Sequence, residues 1–359
     1  MIAESKKRRR NTAALLAIGL QLLNGYAEEP SHQPVKLTPE EAIGEIELLV
    51  TDPDGKPIEN AVVKAGFYMP RPYPSQKSKT ETDENGRCVV TGRTRNEIFY
   101  WIQKDGYYDS KGIYSCPHAA RNEEPRIKNG YWQPRKPTVA VELRPIRNPI
   151  PMYVKKGSTG VPKADEVLGY DMLKGDWLVP HANGKKADIT IRVKGEYKTP
   201  SHRWAELKLR FPNEHDGLIP VIVSDEKYGN ESEYQLPFYQ APEDGYKREY
   251  THFFRIHEKD SRNMKERKDI HYVFRIRTEV DEDGNIVEAM YGKVYGEIRG
   301  GFSWGGPSVG FTYYLNPTGT RNLEYDPPKN LFLQKDDGTF WRPSSPYARK
   351  HQEYIRGKP

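Results

Sequence analysis

Cysteine is scarce: the 359 residues hold only two, Cys88 and Cys116. That excludes a disulfide-knotted scaffold and a cysteine-rich zinc module. Long apolar runs are missing as well. A membrane-spanning helix needs about 20 consecutive apolar residues, and "AALLAIGLQLL" (Ala13–Leu23) supplies roughly half of that. No Gly-x-Ser-x-Gly elbow and no phosphate-cradling glycine loop occur, so neither of those catalytic frameworks is available. No amphipathic helical period persists beyond about three turns, which removes helical folds. Charge of one sign is lacking too. The formal net charge is +6, but residues 1–27 carry five basic residues and one acid, leaving 51 basic against 49 acidic beyond them. Nucleic-acid binding loses its electrostatic basis.

Tyrosine (24), proline (29) and glycine (30) are plentiful. Aromatic, alternating segments broken by turn residues point to an all-β chain. The N-terminus reads as an export signal. Lys6, Lys7, Arg8, Arg9 and Arg10 precede the short apolar run, and Gly25-Tyr26-Ala27 offers small residues at the cleavage positions. Cleavage after residue 27 leaves no transmembrane span, and the expected location is periplasmic or extracellular.

Along the chain, residues 28–42 form a polar leader. Strands are expected at Ile43–Asp52, Asn60–Tyr68, "GRCVVTG" and Glu97–Tyr107. Residues 115–137 lack periodicity and read as a long loop. "TVAVELRPI" closes the domain with Val139, Val141 and Leu143 on one face, so the first domain covers about 43–148. Proline and glycine crowd residues 149–166, either a linker or a proline-kept edge. A second antiparallel, sandwich-like domain follows over 167–342, and 343–359 form a basic tail. Within the second domain "RWAELKLRFP" offers Trp204, Leu207, Leu209 and Phe211, with a phase shift near Ala205 that suggests a bulge.

Three Asp/Asn/Gly clusters invite a test for calcium. A helix-loop-helix calcium loop needs glycine at position six and glutamate at position twelve. Counted from Asp52 those positions hold Pro57 and Val63; from Asp83, Cys88 and Thr94; from Asp281, Ile286 and Gly292. All three fail, and turn formation accounts for the composition. Asp54, Gly55 and Pro57, then Ala61, then Thr82, Asp83 and Gly86, then Gly106 with Tyr107, form a pattern of strands and turns. In this order the stretch resembles the carboxypeptidase regulatory-like domain over about residues 43–145. That resemblance implies a transthyretin-like, Ig-like seven-strand β-sandwich serving as a non-catalytic accessory module. It brings no catalytic residues.

Candidate chemistry is thin elsewhere. In an oxidising compartment Cys88 and Cys116 are a candidate disulfide, closing a 29-residue loop worth about 3–4 kcal/mol. The alternative is a buried thiol, since Cys88 shares a strand face with Val90. His252 and His257 fall on opposite faces of one strand, and no histidine or cysteine spacing builds a tetrahedral site, so no metal or cofactor is expected. Carboxylate pairs such as Glu214 with Asp216, and Asp244 beside Glu243, keep a glycan-degrading enzyme or its accessory subunit as the rival reading. Aromatics give the strongest binding signal. Tyr170 and Trp177 lie in "GYDMLKGDWLVP"; Phe302, Trp304 and Tyr313 lie in "GGFSWGGPSVGFTYY". Exposed rings among polar donors suit a glycan or an envelope protein, whereas buried ones fill a core. The expectation is an exported binding or structural module.

Overall fold

The computed structural model describes residues 42–70, 75–116, 126–222, 239–257, 260–262, 267 and 269–334. The expected signal segment, nearly all of the leader, and the basic tail lie outside these residues. Among them the chain is almost entirely strand, in antiparallel-rich sheets paired as sandwiches, as the alternation implied. It divides into two compact units with the break between Pro145 and Ile146.

In the first unit the strands are β1 (Ala42–Thr51), β2 (Val62–Phe67), β3 (Gln76–Glu81), β4 (Arg87–Thr94) and β5 (Glu97–Gln103). They continue with β6 (Ser110–Ser115), β7 (Ile127–Lys128), β8 (Tyr131–Trp132) and β9 (Thr138–Glu142). One sheet runs β4-β1-β8-β7, with β9 also beside β1; the other runs β3-β2-β5-β6. Period-two alternation turns Ile46, Leu48 and Val50 inward from β1 to meet Val63, Ala65 and Phe67 of β2 and Ile98, Tyr100 and Ile102 of β5.

The Asp-Gly clusters are turns of one repeated design. Asp52 Oδ1 accepts the amides of Asp54 and Lys56, and Asp83 Oδ1 those of Asn85 and Arg87. Asp281 repeats this with Asp283 and Asn285 in the second unit. The glycine that closes each has positive φ: Gly55 at 80°, Gly86 at 70° and Gly284 at 83°. Each carboxylate is thus occupied by its own backbone.

Two expectations in this unit need correction. Residues 115–137 are not a featureless loop, because β7 and β8 lie within them and Tyr131 pairs in parallel with Ile43. Buried Trp132 fastens this excursion, its indole N–H donating to the Thr94 carbonyl at 3.0 Å. The candidate disulfide is not formed. Cys88 belongs to the sandwich core and Cys116 to a separate cluster with Ala42 and Trp132, so each is a free, buried thiol. Burial pushes both thiols up to about 11.

The second unit begins with β10 (Ile150–Lys155) and β11 (Ser158–Gly160), so the stretch expected as a linker is built into its sheet. Next come β12 (Leu168–Asp171), β13 (Asp176–Trp177), β14 (Ile189–Thr199), β15 (His202–Arg210) and β16 (Gly217–Ile222). The remainder are β17 (Glu249–His257), β18 (Asp260–Arg262), β19 (Ile270–Val280), β20 (Ile286–Ser303), β21 (Gly306–Asn316) and β22 (Tyr325–Asn330). A seven-stranded sheet runs β16-β19-β20-β21-β10-β22, with β11 beside β21; a six-stranded one runs β13-β12-β14-β15-β17-β18. Their facing sides share a core that includes Ile191, Leu207, Phe274, Val294 and Tyr313. On β15 the inward residues are Ala205, Leu207 and Leu209, in unbroken register with β17. No bulge occurs at Ala205; Trp204 lies on the opposite, outer face.

Candidate functional site

Of the five aromatic candidates, the structure sends three into the core. Tyr170 packs edge-on to Trp177 at 5.2 Å and to Phe311 at 5.9 Å. The Trp177 indole N–H donates to the Gly160 carbonyl at 3.0 Å, and the Tyr313 hydroxyl donates to the Met172 carbonyl at 2.6 Å. All three side chains are buried. The polar tips of Trp177 and Tyr313 find backbone partners, as buried Trp and Tyr require, and with all three rings in the core they are overturned as ligand contacts.

Phe302 and Trp304 divide the work at the β20–β21 hairpin. Ser303 pairs with Gly306, leaving Trp304-Gly305 as a two-residue connection, and Gly306 takes φ 95°. Phe302 is partly buried against the core. Its ring fills the space beside Gly195, where an added Cβ would meet it at 2.6 Å. Trp304, two residues on, is 91% exposed. A small-residue notch thus anchors one ring and holds the next out in solvent. Among the described residues it is the most exposed of the large apolar side chains.

The outer face of the six-stranded sheet adds a second aromatic feature that sequence reasoning missed. Trp204 on β15 lies diagonally across from Phe253 on β17, ring centroids 6.2 Å apart at 35°, and Phe253 is 40% exposed. Glu206 and Arg255 occupy the directly opposed positions, giving a flat aromatic strip edged by charge. The signal was available: with Ala205, Leu207 and Leu209 inward, period two forces Trp204 outward.

The most concentrated polar constellation is internal. Arg277, at φ 54° in a bulge of β19, donates to Asp188 at 2.7 Å through Nε and to Asp171 at 3.1 Å through its terminal nitrogen. Asp216 accepts the amides of Arg277 and Thr278, each at 2.9 Å. Burial works against the Asp171 carboxylate, but the amides of Lys185, Lys186 and Lys174, with Arg277, outweigh it and hold its pKa below the ordinary range. Asp216 moves the other way, raised chiefly by burial. These acids are closed inside hydrogen-bonded turns. Of the pairs that motivated the hydrolase reading, Asp216 is buried while Glu214, Glu243 and Asp244 are exposed. A small apolar cavity of about 20 Å³ lies in the core between Met172, Leu209, Phe274 and Phe311. It is large enough for a water but has no polar lining to hold one.

No family model matches the chain, and no curated protein does. Among solved structures, 3-chlorocatechol 1,2-dioxygenase from Rhodococcus opacus 1CP is similar at 14% identity and TM-score 0.24, over 38% of this chain and 79% of that one. BcpA, the major pilin subunit of Bacillus cereus, matches at 13% identity and TM-score 0.20, over 79% and 99%. A putative membrane-associated protein of unknown function from Bacteroides fragilis matches at 12% and 0.17, over 77% and 96%. At these scores the likenesses carry no functional argument.

Proposed function

We propose that the chain is an exported, non-catalytic binding module of the cell envelope that contacts a glycan or an envelope protein through Trp304. The observation that carries this reading is the 91% exposure of Trp304 on a hairpin whose preceding ring, Phe302, packs partly buried against the core. A pre-positioned ring loses little conformational entropy on binding and offers a stacking face to a sugar or a pocket-filling anchor to a protein. The basic-then-apolar N-terminal sequence supports export. The turn pattern of the first unit supports an accessory sandwich of the carboxypeptidase regulatory-like type.

The test is a glycan array and an envelope pull-down with the secreted protein and its Trp304→Ala variant. Removing a central aromatic anchor is expected to weaken binding by about thirtyfold or more, about 2 kcal/mol, with thermal stability unchanged. Binding that survives the substitution in full overturns the site. Turnover of any labelled polysaccharide overturns the non-catalytic reading. Trp304-dependent capture of an envelope protein without glycan binding selects the protein partner.

A further inference from the structure

We infer that His202 and His257 form a two-imidazole site for a late first-row divalent cation, copper(II) foremost, on the open face of the six-stranded sheet. The two residues sit directly opposite each other on β15 and β17. Their ring centroids are 4.4 Å apart, inclined at 63°. Both face outward: His257 is exposed and His202 half-buried, whereas His252, on the same strand as His257, turns inward and is buried. Two imidazoles bound to one ion through bonds of about 2.0–2.1 Å have ring centres roughly 4.5–5 Å apart. The observed pair is already near that spacing, and a modest ring rotation converts edge contact into chelation.

The donor set selects the ion. Two imidazole nitrogens favour copper, nickel and zinc over calcium or magnesium, with copper(II) tightest in the usual affinity order; Asp260 of β18 stands in register opposite His257. Arg255 lies two residues from His257 on the same face, which further disfavours ions held only by charge. The remaining coordination positions are left to water or to an exogenous ligand. Because the second imidazole is pre-placed by the strand register, it acts at high effective concentration and raises affinity about 10²-fold over a lone surface histidine. The pair is invisible to spacing rules because its members come from strands far apart in the chain.

The experiment titrates the untagged full chain with copper(II), reading affinity by calorimetry and the number of bound imidazoles by pulsed electron paramagnetic resonance. The wild type is expected to show a saturable ion with two equivalent imidazoles. His202→Asn and His257→Asn should each leave one imidazole and bind about 10²-fold more weakly, with unchanged circular dichroism. Copper should quench the fluorescence of Trp204, two residues from His202 on the same face, and Trp204→Phe should remove that quenching without altering affinity. An unchanged two-imidazole signal and affinity in both histidine variants overturns the site, as does the absence of saturable binding to the wild type.

Discussion

The first unit and the core of the second satisfy their aspartates over very different distances along the chain. Asp52 and Asp83 each bond amides two and four residues away. Asp216, by contrast, caps the backbone at Arg277 and Thr278, and Asp171 and Asp188 share the guanidinium of that same arginine. The difference lies in the device and not in the unit alone, since the Asp281 turn repeats the local design within the second. A local turn closes on itself whatever surrounds it. A long-range cluster holds only while the strands that carry it remain docked, so its loss should be felt across the whole unit.

Arg277→Ala should give the largest effect. It removes the counter-ion of two carboxylates, Asp171 and Asp188, whose side chains are 3% and 0% exposed, and leaves them only their backbone amides. Removing one partner of a buried ion pair costs about 3–5 kcal/mol. Hydrogen exchange followed by mass spectrometry should show deprotection throughout residues 146–334 with the first unit unchanged. Deprotection confined to the β19 bulge would remove the contrast between local and long-range devices.

Acid should separate the two units next. Burial lowers the pKa of His271 from 6.5 to about 4, and its Nδ1 accepts the Gly296 amide at 2.9 Å. Buried His252 is lowered in the same direction, also by burial. A lowered folded-state pKa means that the unfolded chain binds the proton first. Stability is therefore full above about pH 6.5 and falls as the pH drops toward 4, by on the order of 3 kcal/mol for His271. The described residues of the first unit include no histidine. Between pH 6.5 and 4.5 urea unfolding should thus weaken the second unit selectively, and His271→Gln should flatten the profile. Equal weakening of both units would count against this.

Gly86→Ala probes the local device and should have a smaller effect. The glycine sits at φ 70°, and an added Cβ would lie 2.3 Å from the Val50 carbonyl oxygen. Strain and contact together should cost about 1–3 kcal/mol, with deprotection limited to the first unit. Gly55→Ala, at φ 80° but with nothing within 4 Å of the new Cβ, should cost about 1 kcal/mol. The difference between the two, measured by thermal unfolding, isolates the contact from the backbone.

Much of the architecture was legible because it is written at short range. "IGEIELLVTD" was readable as a strand, and period-two alternation buries its Ile46, Leu48 and Val50 on one face. The three Asp-x-x-Gly clusters were readable as turns because both the carboxylate and the amides it captures lie within five residues. The candidate site was far less legible. Tyr170, Trp177 and Trp304 share the same chemistry and similar glycine-rich flanks, yet two are buried and one is 91% exposed.

Short-range order, then, belongs to the sequence by itself: an all-β chain, the alternation of strands such as β1 and the place of its tight turns. Steric alternation and hydrogen bonds between near neighbours suffice for these. Which aromatics face solvent, that Arg277 gathers Asp171 and Asp188, and that His202 meets His257 were decided only by tertiary structure. Burial and apposition depend on what docks against a face, and the docking partners come from strands distant along the chain.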